Sequence, residues 1–115
     1  MDKVAKVLTD ALLENDFIIN TCEFKEGFLT ERYEIRFSKD NFDYKIQIFE
    51  AVADYPGFIN YDYELGDLKE IVKFVLEALK RVNFEIGKMG SSTSKDFYIK
   101  IKNEEFFFDI YIDRN

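Results

Sequence analysis

Carboxylates are the one plentiful reactive group in this chain. Its 115 residues hold 23 Asp and Glu against 16 Lys and Arg, with no histidine and a single cysteine, Cys22. Without histidine, the usual nucleophile-activating pairs with serine or cysteine cannot be built. Zinc sites of the His/Cys type are excluded for the same reason. The acids that stand close in sequence are Asp40 and Asp43, Glu104 and Glu105, and the set Asp54, Asp62, Glu64 and Asp67. None shows the D-x-[DN]-x-[DN]-G spacing of a calcium loop. A glycosidase pair would need a cleft that so small a domain rarely supplies, so solvated turn residues are the better reading. Gly90-Ser91-Ser92-Thr93-Ser94-Lys95 lacks the spaced glycines and the Gly-Lys-Ser/Thr end of a phosphate loop, and a strand pattern follows it where that loop needs a helix. Cys22 has no neighbouring cation in sequence to lower its pKa and reads as a quiet thiol. No catalytic residue, metal or cofactor is expected, and the chain is expected not to be an enzyme.

What the residue types do suggest is binding. The formal charge is −7, opposite to what a phosphate backbone or an anionic membrane attracts, so neither direct nucleic-acid nor membrane binding is expected. The segment Asp54-Tyr55-Pro56-Gly57-Phe58-Ile59-Asn60-Tyr61-Asp62-Tyr63-Glu64 interleaves rings with acids and contains no base. Such a mixture suits an Arg/Lys-rich partner through charge pairing and cation–π contact. Asp54, Tyr55, Tyr61, Asp62, Tyr63 and Glu64 are therefore the first candidate contacts. Residues 58–64 read equally as a loop or as an extra edge strand.

The elements that must position these groups follow from periodicity. Val4, Val7, Leu8, Ala11 and Leu12 recur at helical spacing, with Asp2 placed to cap and Glu14-Asn15-Asp16 to stop. Leu68, Ile71, Val72, Val75, Ala78, Leu79 and Val82 make a second stripe, introduced by the D-x-x-E pair Asp67 and Glu70. Each helix is followed by three strand patterns, at 17–24, 29–37 and 42–49, then 84–89, 97–101 and 106–113. Period-two alternation puts Tyr33, Ile35 and Phe37 on one face with Phe42, Tyr44, Ile46 and Ile48. In the second half Phe97, Ile99 and Ile101 do the same with Phe106, Phe108, Ile110 and Ile112. One apolar face marks an antiparallel sheet covered on one side. Its other face then carries Tyr98, Lys100, Phe107, Asp109, Tyr111 and Asp113, where Tyr98, Phe107 and Tyr111 are ring anchors of the kind protein interfaces use. The Gly- and Ser-rich stretch 87–95 reads as a mobile hairpin loop.

The two halves also resemble each other. A shift of 67 places Val4 on Ile71, Leu8 on Val75, Ala11 on Ala78, Leu12 on Leu79 and Phe17 on Phe84. A shift of 64 places Tyr33 on Phe97, Ile35 on Ile99, Phe42 on Phe106, Ile46 on Ile110 and Ile48 on Ile112. The change of shift falls in a loop, where length changes are tolerated.

The expectation is one α+β domain over residues 1–115, with repeat-like halves 1–50 and 67–115 joined by 51–66. Its order is αβββ-αβββ, with an antiparallel sheet, both helices on one face and an internal duplication. That order resembles small secretion-chaperone and immunity-protein domains, a likeness of order alone that carries no function. A composition of 47% hydrophobic and 17% aromatic residues supports folding. No apolar run approaches the roughly 18 residues of a membrane span. Met1 to Lys6 open an amphipathic helix rather than a signal peptide, and a cytoplasmic location is expected. The expected function is a small acidic inhibitor or immunity-type protein, anti-restriction, anti-CRISPR or toxin-neutralising, that occludes a basic nucleic-acid-binding partner. The alternative is a homo-oligomeric or chaperone-like module, in the simplest case a homodimer, joined through the open sheet face.

Overall fold

The computed structural model describes residues 1–27, 31–51, 68–90 and 96–114. Within them the chain runs α1 (Asp2–Glu14), β1 (Ile18–Glu26), β2 (Glu31–Lys39), β3 (Phe42–Ala51), α2 (Lys69–Arg81), β4 (Glu85–Gly90), β5 (Asp96–Lys102) and β6 (Phe107–Arg114). The strands form one antiparallel sheet in the order β1-β2-β3-β6-β5-β4. Two three-stranded meanders thus meet at β3 and β6, leaving β1 and β4 as the edges among the described residues. No helix among the described residues is long and apolar enough to cross a membrane.

Both helices form because their apolar residues fall on one stripe, and the same positions of each stripe are buried. Val4, Ala5, Leu8, Ala11 and Leu12 of α1 are matched in order by Ile71, Val72, Val75, Ala78 and Leu79 of α2. Both helices also stop in the same way. Asp16 and Asn83 take left-handed φ values of 65° and 68°. The next amides, of Phe17 and Phe84, then donate back to the carbonyls of Leu12 and Leu79 at 3.0 and 3.1 Å. This is a Schellman ending, and Asp and Asn tolerate the left-handed position better than most residues. It also turns Phe17 and Phe84 into the core, where their rings meet Phe37 and Phe108.

The helix starts differ from expectation. Met1, not Asp2, occupies the cap position of α1, with no side-chain cap. The Asp2 carboxylate instead accepts a hydrogen bond from the Tyr33 hydroxyl, tying the helix start to β2. Asp67, the expected cap of α2, lies outside the described residues.

The sheet repeats the helix correspondence strand by strand. In the first hairpin Arg32 stands opposite Phe49, and at the equivalent place of the second Asp96 stands opposite Asp113. The outer pairs match as well, Ile18 with Ser38 and Glu85 with Lys102, then Cys22 with Ile35 and Met89 with Ile99. Each edge strand carries an irregularity at the same place, between Ile19 and Thr21 and between Ile86 and Met89. At Gly87 a β-carbon would come within 3.3 Å of the Lys100 carbonyl oxygen, so glycine there permits close approach of two backbones. Gly87 to Gly90 belong to β4, in keeping with the strand pattern at 84–89 and against the loop reading of 87–95, whose residues 91–95 lie outside the described residues.

The two hairpins turn by different chemistry, with two residues between β2 and β3 and four, Asn103 to Phe106, between β5 and β6. Asp40 and Asn41 both have positive φ, 52° and 69°, as a two-residue primed turn requires. Glu104 and Glu105 cannot do this cheaply. There the Asn103 side-chain oxygen accepts from the amides of Glu105 and Phe106 at 2.9 and 2.8 Å.

One hydrophobic core joins both helices to one sheet face: Ile35, Phe37, Tyr44, Ile46 and Ile48 from the first half, Phe97, Ile99, Ile101, Phe108, Ile110 and Ile112 from the second. Phe42 and Phe106, expected in this face, are 43% and 44% exposed, because they flank the hairpin turns rather than the covered middle of the strands.

Candidate binding surface on the open sheet face

Residues directly opposite in an antiparallel pair point to the same side of the sheet. The registers therefore define rows that cross the open face. The central row runs Glu23, Glu34, Gln47, Tyr111, Tyr98 and Gly90. One flanking row holds Thr21, Arg36, Lys45, Asp113 and Asp96; the other holds Lys25, Arg32, Phe49, Asp109 and Lys100.

The first-half side of this face is organised on Glu34. Its side chain is 4% exposed, yet three cations reach it: Arg36 Nε at 2.8 Å, Lys25 Nζ at 3.3 Å and Arg32 Nε at 3.7 Å. Desolvation pushes the Glu34 carboxyl up, but the Lys25 hydrogen bond and the Arg36 charge outweigh it, and the pKa is lowered from the ordinary 4.5. A buried carboxylate is tolerable only when paired in this way.

The second-half side is organised on Asp109 and on rings. Asp109 accepts from Lys100 Nζ at 3.2 Å and from the Tyr98 hydroxyl at 3.1 Å. Tyr98 and Tyr111 meet at 4.9 Å between ring centroids, and Phe49 stands edge-on to Tyr111 at 5.5 Å. Asp96 and Asp113 face each other on neighbouring strands. Burial raises the Asp113 pKa above 3.8, with Lys45 opposing and Asp96 reinforcing the rise. Burial likewise raises Tyr111, helped by the Asp109 charge.

The pseudo-two-fold relation makes the contrast between the sides sharp. At equivalent positions of the two halves, Arg32 corresponds to Asp96, Lys45 to Asp109 and Glu34 to Tyr98. The face is thus basic around a buried acid on one side, and on the other aromatic, with Asp96, Asp109 and Asp113 beside the buried Lys100.

Not every expected ring is available for contact. Tyr98 is 4% exposed and Lys100 5%, so Tyr98 is a packed ring rather than a presented one. Phe107 and Tyr111 are half-buried. Asp54, Tyr55, Tyr61, Asp62, Tyr63 and Glu64 lie outside the described residues, as does the question of whether 58–64 is a strand. The Glu34 network was missed from sequence. Its signal was the alternation Glu23-x-Lys25 and Arg32-x-Glu34-x-Arg36, which puts five charges on one face of adjoining strands.

Two further features bear on chemistry. Cys22 is exposed on β1, and partial desolvation raises its pKa above 9.0, the reverse of nucleophile activation. A groove of about 350 Å³ is lined by Asn15, Phe17, Lys39, Glu70, Lys73, Phe74 and Glu77. Lys39 is committed there to the Asn15 carbonyl at 3.0 Å and to the Phe17 ring at 4.9 Å. Lys73 lies between Glu70 and Glu77 on one face of α2, so the two acids are not a facing pair across a cleft. Among the described residues no group of three or more candidate ligands is placed to hold a metal ion.

No family model, curated protein or solved structure matches this chain.

Proposed function

We propose that this protein is a non-enzymatic binding protein, an inhibitor or immunity-type protein that occludes a basic, nucleic-acid-binding partner. The supporting observation is the second-half side of the sheet face opposite the helices, where Asp109 stands opposite Phe49, Asp96 opposite Asp113, and Tyr111 lies between these two rows. Rigid rings beside carboxylates suit guanidinium and ammonium groups, which would otherwise contact phosphates. The net charge of −7 steers such a partner in and repels nucleic acid. The segment 54–64 is acidic and Tyr-rich in sequence and offers the same residue types.

The test is retention of proteins from a cell lysate on the immobilised chain at about 0.15 M salt, where the Debye length is ~8 Å and only close charge contacts persist. Wild type is compared with an Asp113→Lys, Tyr111→Ala double variant and with a variant neutralised at Asp54, Asp62 and Glu64. Loss of basic nucleic-acid-binding proteins from both variants supports the reading. A retained set that is acidic, or unchanged in both variants, sinks it.

A homo-oligomer built on the open face has less behind it, since Tyr98 at its centre has little surface left to bury. The two halves themselves we take as a duplication. The equal helix endings, equal registers and equally placed strand irregularities go beyond what shared hydrophobic patterning demands. The partner site would then have arisen where the copies diverged.

A further inference from the structure

The two edge strands are equivalent positions of the two halves, so each serves as a control for the other. Edge β4 is short and charged: Glu85 stands where β1 has Ile18, and Lys80 stands where α1 has Leu13. Edge β1 is nine residues long and bordered by exposed apolar groups: Ile18 is 64%, Leu13 56% and Phe24 44% exposed. An edge strand with unpaired backbone groups and apolar side chains is a template for another strand.

The charges on β1 say which strand. Glu23 stands directly opposite Glu34, and Lys25 directly opposite Arg32. Like charges in direct opposition are unfavourable. Within the chain Lys25 turns toward Glu34, at 3.3 Å, and stands farther from Glu23, at 3.9 Å. An added strand with a cation opposite Glu23 and an acid opposite Lys25 would complete both. β1 itself has this pattern when read backwards about Phe24.

We propose that β1 is the self-association edge of this protein, pairing antiparallel with β1 of a second copy about a two-fold axis at Phe24. Glu23 then faces Lys25 of the second copy, Lys25 faces its Glu23, and the two Phe24 rings meet. The contact is isologous and closed, as a two-fold requires. Both copies keep their helices on the same side, and the six-stranded sheet continues into twelve strands. About this axis the pairing spans residues 22–26 of each copy, bounded by the end of β1 at Glu26, and it stops short of the irregularity between Ile19 and Thr21. This surface is separate from the acidic side of the open face, and the inference stands whether or not that face binds a basic partner.

Sedimentation equilibrium of the intact chain between about 10 μM and 1 mM tests this, the range in which an interface of modest area associates. Wild type should show a monomer–dimer equilibrium. Glu23→Lys should weaken it at least tenfold, by setting an ammonium group against Lys25 of the other copy. The same change improves the contact with Glu34 inside each copy, so failure to fold is not expected to confuse the result. Glu85→Lys on the opposite edge should leave the equilibrium unchanged. A Cys22→Ser, Phe24→Cys double variant should form a disulfide-linked dimer under mild oxidation, because residues on the axis stand within disulfide reach. A wild-type monomer at every concentration overturns the proposal. So does a dimer indifferent to Glu23→Lys, or one weakened equally by Glu85→Lys.

Discussion

Gln47 on β3 stands directly opposite Tyr111 on β6, and the two occupy the same position of the two halves. They sit where the two meanders join. At this point the halves share a backbone and differ in chemistry, an amide against a phenol. Tyr111 carries the ring contacts with Tyr98 and Phe49. Tyr111→Ala should therefore cost about 2–4 kcal/mol in urea unfolding. Gln47→Ala, which removes no ring, should cost under about 1 kcal/mol.

The equivalence of the helices has an energetic counterpart. Leu12 and Leu79 are both fully buried, and each receives the amide hydrogen bond of the helix ending on its carbonyl. Leu12→Ala and Leu79→Ala should each cost about 2–5 kcal/mol. Chemical denaturation should find the two values within about 1 kcal/mol of each other, since surroundings and cap are shared. Asp16→Val and Asn83→Val should each lose about 1–2 kcal/mol, because a β-branched residue resists the left-handed position.

Glu34 and Asp113 should give opposite pH signatures. The folded pKa of Glu34 lies below 4.5, so its ionised form stabilises the fold above that pH, and the contribution is lost as pH falls through the folded value. Glu34→Gln should destabilise by about 1–3 kcal/mol at pH 7, discounted for the partly exposed Lys25 and Arg36. The difference from wild type should shrink below pH 4.5. The folded pKa of Asp113 lies above 3.8. Its ionisation therefore works against folding, with a penalty absent below 3.8 that grows as pH rises through the folded value. Asp113→Asn should stabilise at pH 7 by under about 1 kcal/mol and be neutral at low pH. Thermal melts from pH 3 to 7 separate the two.

Cys22 should be accessible but slow. Its exposure admits reagent, while a pKa raised above 9.0 by desolvation keeps the thiolate scarce. Iodoacetamide should modify it more slowly at pH 7 than a short unstructured peptide thiol. The rate should rise about tenfold per pH unit up to and beyond pH 9, following the thiolate fraction. A rate above that of the peptide at pH 7 would show an activated cysteine and remove the main ground for a quiet thiol.

Periodicity in the sequence was enough to determine the α+β class, the two helical stripes and, apart from Phe42 and Phe106 beside the turns, which strand residues point to the core, because burial of apolar side chains acts at the level of single residues and their spacing. Val4, Leu8, Leu12 and their counterparts could be placed from spacing alone for that reason. The left-handed endings at Asp16 and Asn83 and the position of Asp2 depended on contacts made from elsewhere: the returning amides of Phe17 and Phe84 and the Tyr33 hydroxyl. The open face was legible as a set of side chains but not as a site. Which charges meet there is fixed by register across strands far apart in sequence, and only the tertiary structure sets Glu23 against Glu34 and Asp96 against Asp113. The same registers decided that Tyr98 is packed rather than presented, and that the two edges of one sheet differ in what they offer a neighbour.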